Sequence, residues 1–173
     1  MGRSITGPRR DRLSVTYLDI PVPVRWSDLD GYGHVNNTAY LRLLEEARTR
    51  AFWQPSETEL ANGAPAYPTA LPELSPGGPF NTLVAAHTIE YTRQLGYRRD
   101  GVIVRTWVSK LGGASLDLDY EILTADEPTR PYAKARTVIV IVDAANGTAV
   151  RVPEKLRTAL ASITGAPLTF RRA

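Results

Sequence analysis

The chain predicts a single α+β domain in which one long amphipathic helix lies against an antiparallel sheet. Three observations predict it. Tyr40, Leu43, Leu44, Ala47 and Ala51 recur at i, i+3, i+4, i+7 and i+11, one apolar face of a 3.6-residue repeat. Four later segments, residues 83–92, 102–111, 116–122 and 133–142, are rich in β-branched and aromatic residues and carry strand signals. Gly112-Gly113 between two of them is a strong hairpin turn, since both residues tolerate positive φ.

Taken in order, residues 1–13 read as a flexible basic arm, residues 14–165 as the domain and residues 166–173 as a C-terminal tail. The first strand runs from Ser14 to Trp26. Pro21 and Pro23 cannot donate to a ladder, which places that strand at a sheet edge or on a bulge. Next comes Asp28-Leu29-Asp30-Gly31-Tyr32-Gly33-His34-Val35-Asn36-Asn37-Thr38-Ala39-Tyr40, leading straight into the helix. Asn36, Asn37 or Thr38 supplies the N-cap. Glu46 and Arg50 form an i,i+4 pair of the favourable orientation, and Pro55 ends the helix.

Residues 55–80 hold six prolines and three glycines and are expected to be mostly irregular, covering a substrate entrance or wrapping a neighbouring subunit. Four meandering strands should follow. Val102, Val104, Thr106 and Val108 alternate with Arg105 and Trp107, and Leu116, Leu118, Tyr120 and Ile122 alternate with Asp117, Asp119 and Glu121. Turns fall at residues 97–101 and 143–147, and Pro153 opens a short helix ending near Ile163.

Composition narrows the chemistry. The 173 residues include no cysteine, which excludes disulfides and cysteine-based zinc or redox chemistry, and His34 and His87 are too few for a multi-histidine metal site. The net charge of +3 is concentrated at the ends, in Arg3, Arg9, Arg10, Arg12, Arg171 and Arg172, where solvated tails are expected. The interior is slightly acidic and has no basic stripe for nucleic acid. No apolar run approaches the ~20 residues of a membrane span, and no apolar stretch follows the N-terminal charges as in a secretory signal. A cytoplasmic protein without a membrane partner is the expectation.

The string from Asp28 to Tyr40 concentrates the chemistry. A strand ends on a carboxylate, a glycine-hinged loop turns, and an Asn pair opens a helix whose first N–H groups carry partial positive charge. That arrangement can attack an activated carbonyl and hold the oxyanion that results.

On Asp28-Leu-Asp30, Gly33-His34-Val35-Asn36-Asn37, Tyr40 and the helix tail Glu45-Glu46-Ala47-Arg48, the chain resembles the hotdog-fold acyl-CoA thioesterases, in particular the 4-hydroxybenzoyl-CoA and long-chain acyl-CoA group. The resemblance implies an antiparallel sheet wrapped around a long central helix. It also implies subunits paired sheet edge to sheet edge, as a homodimer or a dimer of dimers, with active sites at the dimer interface. The implied activity is hydrolysis of an acyl-CoA to free acid and coenzyme A, with no metal or cofactor beyond the substrate's own coenzyme. The second Asp of the motif, the catalytic carboxylate, falls on Asp30, and the oxyanion amide falls on Asn37, shared with Thr38. Plant acyl-carrier-protein thioesterases show a related Asp-x-Asn-x-His string that matches Asp30 and His34 but has Asn where this chain has Tyr32.

Asp30 serves as nucleophile or general base, or on a purely local reading only bonds its own turn. Asp28 is expected to support the loop. His34 either orients Asp30 or a water, or fixes the turn through its backbone; His87 reads as a packing or surface residue. Asn36 and Asn37 act through capping, which itself aims the amides. Tyr40 belongs to the core and, at the start of the helix, to the acyl pocket as well. For the coenzyme's phosphates the candidates are Arg93, Arg98 and Arg99. Two rivals stand beside the thioesterase: a non-catalytic acyl-CoA binding or sensing module, and a hotdog hydratase or dehydratase.

Overall fold

The computed structural model describes residues 9–10 and 16–171. Six strands, β1 (Arg9–Arg10), β2 (Thr16–Val22), β3 (Phe80–Tyr91), β4 (Val102–Leu111), β5 (Ser115–Leu123) and β6 (Ala133–Asp143), form one sheet in the order β1-β2-β4-β5-β6-β3. Every neighbouring pair is antiparallel. Helix α1 (Asn37–Phe52) lies on one face, with α2 (Glu57–Ala61) after it and α3 (Glu154–Ala161) near the end. Pro153 is the N-cap of α3, one position before the place its fixed φ would suit. Of the expected N-terminal arm, Arg9–Arg10 form a two-residue strand on β2, and the rest lies outside the described residues.

The strand order departs from a simple meander. Only β4, β5 and β6 follow one another across the sheet; β3 lies at the far edge, paired with β6 from Phe80↔Asp143 to Tyr91↔Ala133. The place beside β4 is already taken by β2, whose Leu18 stands opposite Thr106 and whose Val22 stands opposite Val102. Alternation tells which way a side chain points, and it does not tell which strand is the neighbour.

The core lies between α1 and the sheet. Tyr40, Leu43, Leu44, Ala47 and Ala51 are all buried, as their spacing requires, against Leu18, Ile20, Val104, Leu118, Tyr120, Ile122, Ile139 and Ile141. Asn36 is the N-cap, its Oδ1 accepting from the Thr38 N–H at 2.9 Å, and Glu46 meets Arg50 at 2.8 Å. Residues 53–79 close the other end of the helix. The Leu71 N–H reaches the Phe52 carbonyl at 3.0 Å and the Thr69 hydroxyl the Ala51 carbonyl at 2.6 Å, so the last carbonyls of α1 find partners. This proline-rich segment therefore shuts the C-terminal end of α1, away from the Asp30 loop.

The outer face of the sheet carries polar anchors. Arg105 forks onto Asp19 at 2.9 and 3.1 Å and stacks over Tyr17. Asp119, which alternates with core residues and reads as solvent-facing, is fully buried. The cause is the segment after α3. Leu168 donates its N–H to Asp119 at 2.6 Å, the Trp107 indole donates to the Ala166 carbonyl at 2.9 Å, and Leu168 packs on Tyr17 and Trp107. Through Arg171, whose amide meets Glu90 at 2.7 Å, the backbone of this stretch is docked on the sheet, while the Arg171 side chain itself stays exposed.

Candidate active site

The Asp30 loop is a tight turn held by its own carboxylate. The Gly33 N–H closes on the Asp30 carbonyl at 3.1 Å, and Gly33 sits at φ 75°, where a side chain would be strained. Asp30 Oδ1 accepts from the Tyr32 N–H at 2.8 Å and the His34 N–H at 3.2 Å. The Asp30 N–H returns to the His34 carbonyl at 2.8 Å. Both side-chain bonds fall on one oxygen, so Oδ2 has no partner among the described residues. The purely local reading of Asp30 is correct for half of its carboxylate.

Asp28 does a different job. It is buried, its Oδ2 accepts from the Arg25 N–H at 2.7 Å, and its carbonyl accepts from the Asn36 N–H at 2.8 Å. It ties the end of the strand segment to the start of the helix, the supporting role expected of it. The short turn at residues 26–28 breaks the strand alternation that would have aimed Asp28 like Asp30.

At the helix start the cap decides which amide is open. Thr38 directs both its N–H and its hydroxyl to Asn36 Oδ1, each at 2.9 Å. The Thr38 N–H is therefore already engaged by the cap. The Asn37 N–H, first of the helix, has no partner among the described residues, as the geometry of a helix start leaves it. Asn36 caps and does not line the cavity.

A cavity of about 460 Å3 opens between these parts, lined by Asp30, Tyr32, His34, Val35, Asn37, Tyr40, Tyr91, Arg93, Gln94 and Leu95. Asp30, His34, Asn37, Tyr40 and Arg93 are thus brought together from the expected set. His34 fixes the turn through its backbone and also lines the cavity. Tyr40 is buried, and desolvation, then Tyr91 and Tyr132, push its hydroxyl up to about 12, so it stays protonated.

Three lining residues escaped the sequence reading. Tyr91 donates its hydroxyl to the Asn37 carbonyl at 3.0 Å and meets the Tyr40 ring edge-on at 5.1 Å. Gln94 and Leu95 follow it, and the Leu95 carbonyl accepts the Val35 N–H at 2.7 Å. No local pattern marks them; only the pairing of β3 with β6 swings this strand end over the helix start.

The three arginines fare differently. Arg93 lines the cavity, yet its guanidinium is already engaged by Glu127 at 2.9 and 3.1 Å and by the Arg130 carbonyl at 2.7 Å, stacked over Tyr132. The Tyr132 hydroxyl, then Arg93, hold the Glu127 carboxyl below the usual carboxylate range. Arg98 pairs with Asp100 and Asp126. Arg99 is exposed and has no ion pair among the described residues. His87 sets Nδ1 3.0 Å from the Thr137 hydroxyl, on β3 and outside the cavity, and burial, then Arg48, push its pKa down. Among the described residues no group of three or more His, Asp or Glu could hold a metal ion, and no helix is long and apolar enough to cross a membrane.

An antiparallel sheet wrapped around a central helix, with a carboxylate loop at the helix start, defines a hotdog domain of thioesterase type. The thioesterase-like superfamily model matches residues 24–160, and the chain belongs to that family. Among solved structures, a thioesterase from Thermus thermophilus complexed with coenzyme A and Zn shares 28% identity over 87% of this chain and 96% of that one, with a TM-score of 0.60. A predicted thioesterase from Bacillus stearothermophilus shares 25% over 87% and 98%, with a TM-score of 0.67. A 1,4-dihydroxy-2-naphthoyl-CoA thioesterase from Synechocystis shares 20% over 84% and 96% at a TM-score of 0.61, a likeness of fold. No curated protein matches the sequence. Membership of this family supports thioester hydrolysis.

Proposed function

We propose that the chain hydrolyses an acyl-CoA to the free acid and coenzyme A, with Asp30 driving attack and the Asn37 N–H holding the oxyanion. One observation carries this: an uncommitted carboxylate oxygen and an uncommitted first-turn helix N–H belong to residues lining the same cavity. The coenzyme A bound to the Thermus thermophilus relative supports the choice of thioester. A thioester carbonyl placed between the two gains a hydrogen bond as its oxygen becomes negative, and such a donor is typically worth about 10²–10³ in rate.

Two routes begin from this geometry. With Asp30 as base, Oδ2 takes a proton from water, the hydroxyl adds to the carbonyl carbon, the C–S bond breaks, and the proton returns to the coenzyme A thiolate. With Asp30 as nucleophile, Oδ2 adds to the carbonyl, the thiolate leaves, and water cleaves the mixed anhydride. In a single turnover in ¹⁸O-water, ¹⁸O recovered in the Asp30 carboxylate establishes the anhydride route, because only water that cleaves an anhydride at the Asp30 carbonyl leaves its oxygen in the protein. His34, which lines the same cavity, orients the water in this reading.

The exposed edge of β3 supports a dimer. Leu83, Val84 and Tyr91 are 51%, 42% and 45% exposed on a 12-residue strand that, among the described residues, is paired only on its β6 side. Such an edge is a template for another strand. Two copies joined through β3 would set Tyr91, a wall of the cavity, at the seam; pairs of such dimers would give the tetramer.

The test is Asp30→Asn. Asn keeps a side-chain oxygen to accept from the Tyr32 and His34 amides, so the turn survives while the charge is lost. Cleavage across a panel of short, long and aromatic acyl-CoAs, read by released thiol, should fall about 10³-fold or more. Full activity in the variant would remove Asp30 from the reaction.

A further inference from the structure

A cavity of about 460 Å3 accommodates a ligand portion of small-molecule size, so an acyl-CoA whose thioester lies at Asp30 must carry its nucleotide end outside it. The surface beside the mouth is aromatic. Trp26 is 75% exposed, in the turn that leads into the Asp30 loop, and its ring meets Tyr97 edge-on at 5.5 Å and 72°. Tyr97 is itself 42% exposed. The pair is fastened to the cavity wall on both sides. Gly96, next to Tyr97, bridges to His34, and the Trp26 carbonyl accepts the N–H of Leu29, next to Asp30.

Rings left this open to water forfeit the gain of burial, and clustered exposed apolar surface marks a contact site. The edge-on contact leaves the indole a broad free surface, the shape a flat heterocycle takes. Charge nearby fits an anion. Arg99, two residues beyond Tyr97, is exposed and unpaired among the described residues, while its neighbour Arg98 is already bound by Asp100 and Asp126.

We propose that Trp26 and Tyr97 form a stacking ledge for the adenine of the substrate's coenzyme A, with Arg99 supplying charge for its phosphates. The proposal rests on the acyl-CoA reading above and adds to it the residues that tell coenzyme A from a bare pantetheine thioester. Stacking on an aromatic side chain is worth enough to change affinity by roughly tenfold.

Calorimetric titration with coenzyme A and with 4′-phosphopantetheine tests the ledge whether or not the protein proves to be a hydrolase. Coenzyme A should bind about tenfold or more tighter. Trp26→Ala should remove most of that margin and leave phosphopantetheine binding unchanged, Tyr97→Ala should act in the same direction, and Trp26→Phe should keep most of it. In steady state, Trp26→Ala should raise KM for an acyl-CoA and not for the matching acyl-pantetheine. Equal affinity of the wild type for the two ligands, or an equal loss of both in Trp26→Ala, overturns the ledge. So does a Trp26→Ala variant that keeps its coenzyme A affinity and instead changes the mass of the assembly, which would mark the ring as a subunit contact. Coenzyme A preference without thioester cleavage would sink the hydrolase and spare the ledge; cleavage without that preference would do the reverse.

Discussion

Asp119 and Asp30 are both carboxylates of one small domain, and they differ in what is left over. Asp119 is completely buried and accepts four hydrogen bonds: two from Arg136 at 2.6 and 2.7 Å, one from the Ser109 hydroxyl at 2.9 Å and one from the Leu168 N–H at 2.6 Å. Asp30 is partly exposed and receives two amides on one oxygen. The first has its charge divided among donors fixed by the fold, so it can only hold the structure. The second keeps one oxygen without a partner among the described residues, on a side chain that lines the cavity. The two carboxylates differ less in burial than in whether both oxygens are occupied, which is what the proposed role of Asp30 requires.

The contrast predicts opposite phenotypes. Asp30→Asn should produce the largest change, about 10³-fold or more in rate, with stability within about 0.5 kcal/mol of wild type. A large fall in melting temperature would return Asp30 to a purely structural role. Asp119→Asn should do the reverse. Breaking its pair with Arg136 should cost about 3 kcal/mol, lowering the melting temperature by roughly 10 °C, with turnover per folded molecule intact. Lost turnover in the folded fraction would erase the distinction.

Smaller effects sharpen it. Asn36→Ala removes the cap and should cost about 1 kcal/mol in a denaturant melt. A loss far smaller would mean that the helix start is ordered by the Asp28 carbonyl alone. Glu127 supplies a pH test. Its carboxyl is held below its ordinary 4.5 by Tyr132 and then Arg93, so its stabilisation is present above that value and fades as pH falls through the lowered one. Melting curves from about pH 6 to 3 should therefore fall less steeply at the acid end in Glu127→Gln. Parallel acid limbs in the two proteins would show that the bonds from Tyr132 and Arg93 carry no such stabilisation.

The parts legible in the sequence were local. Helix α1 follows from a repeat written in adjacent turns, and the Asp30 loop closes on itself between Asp28 and Asn36. What could not be read depended on distance along the chain. Asp119 alternates with core residues in the same pattern as Asp117 and Glu121, and only the arrival of Leu168 from 49 positions away buries it. Tyr91 looks like any strand-end tyrosine until β6 carries β3 to the far edge and over Asn37, 54 positions earlier. The expected sharing of the oxyanion role between Asn37 and Thr38 turned on which residue caps, and three adjacent capping residues leave that undecided until the helix is built.

The clasp of Leu168 on Asp119 ties the sheet to a segment outside it. Residues 166–171 follow every strand in the chain, yet they cover the outer face and supply one of the four donors to Asp119. A chain ended after Gly165 keeps every strand and loses that donor along with the cover over Trp107. It should melt several degrees lower, about the effect of one lost bond to a charged group. An unchanged melting temperature would show that the clasp is dispensable. If it is not, residues 166–171 work as a latch, and a protease that trims them should open the outer face of the sheet and hasten unfolding.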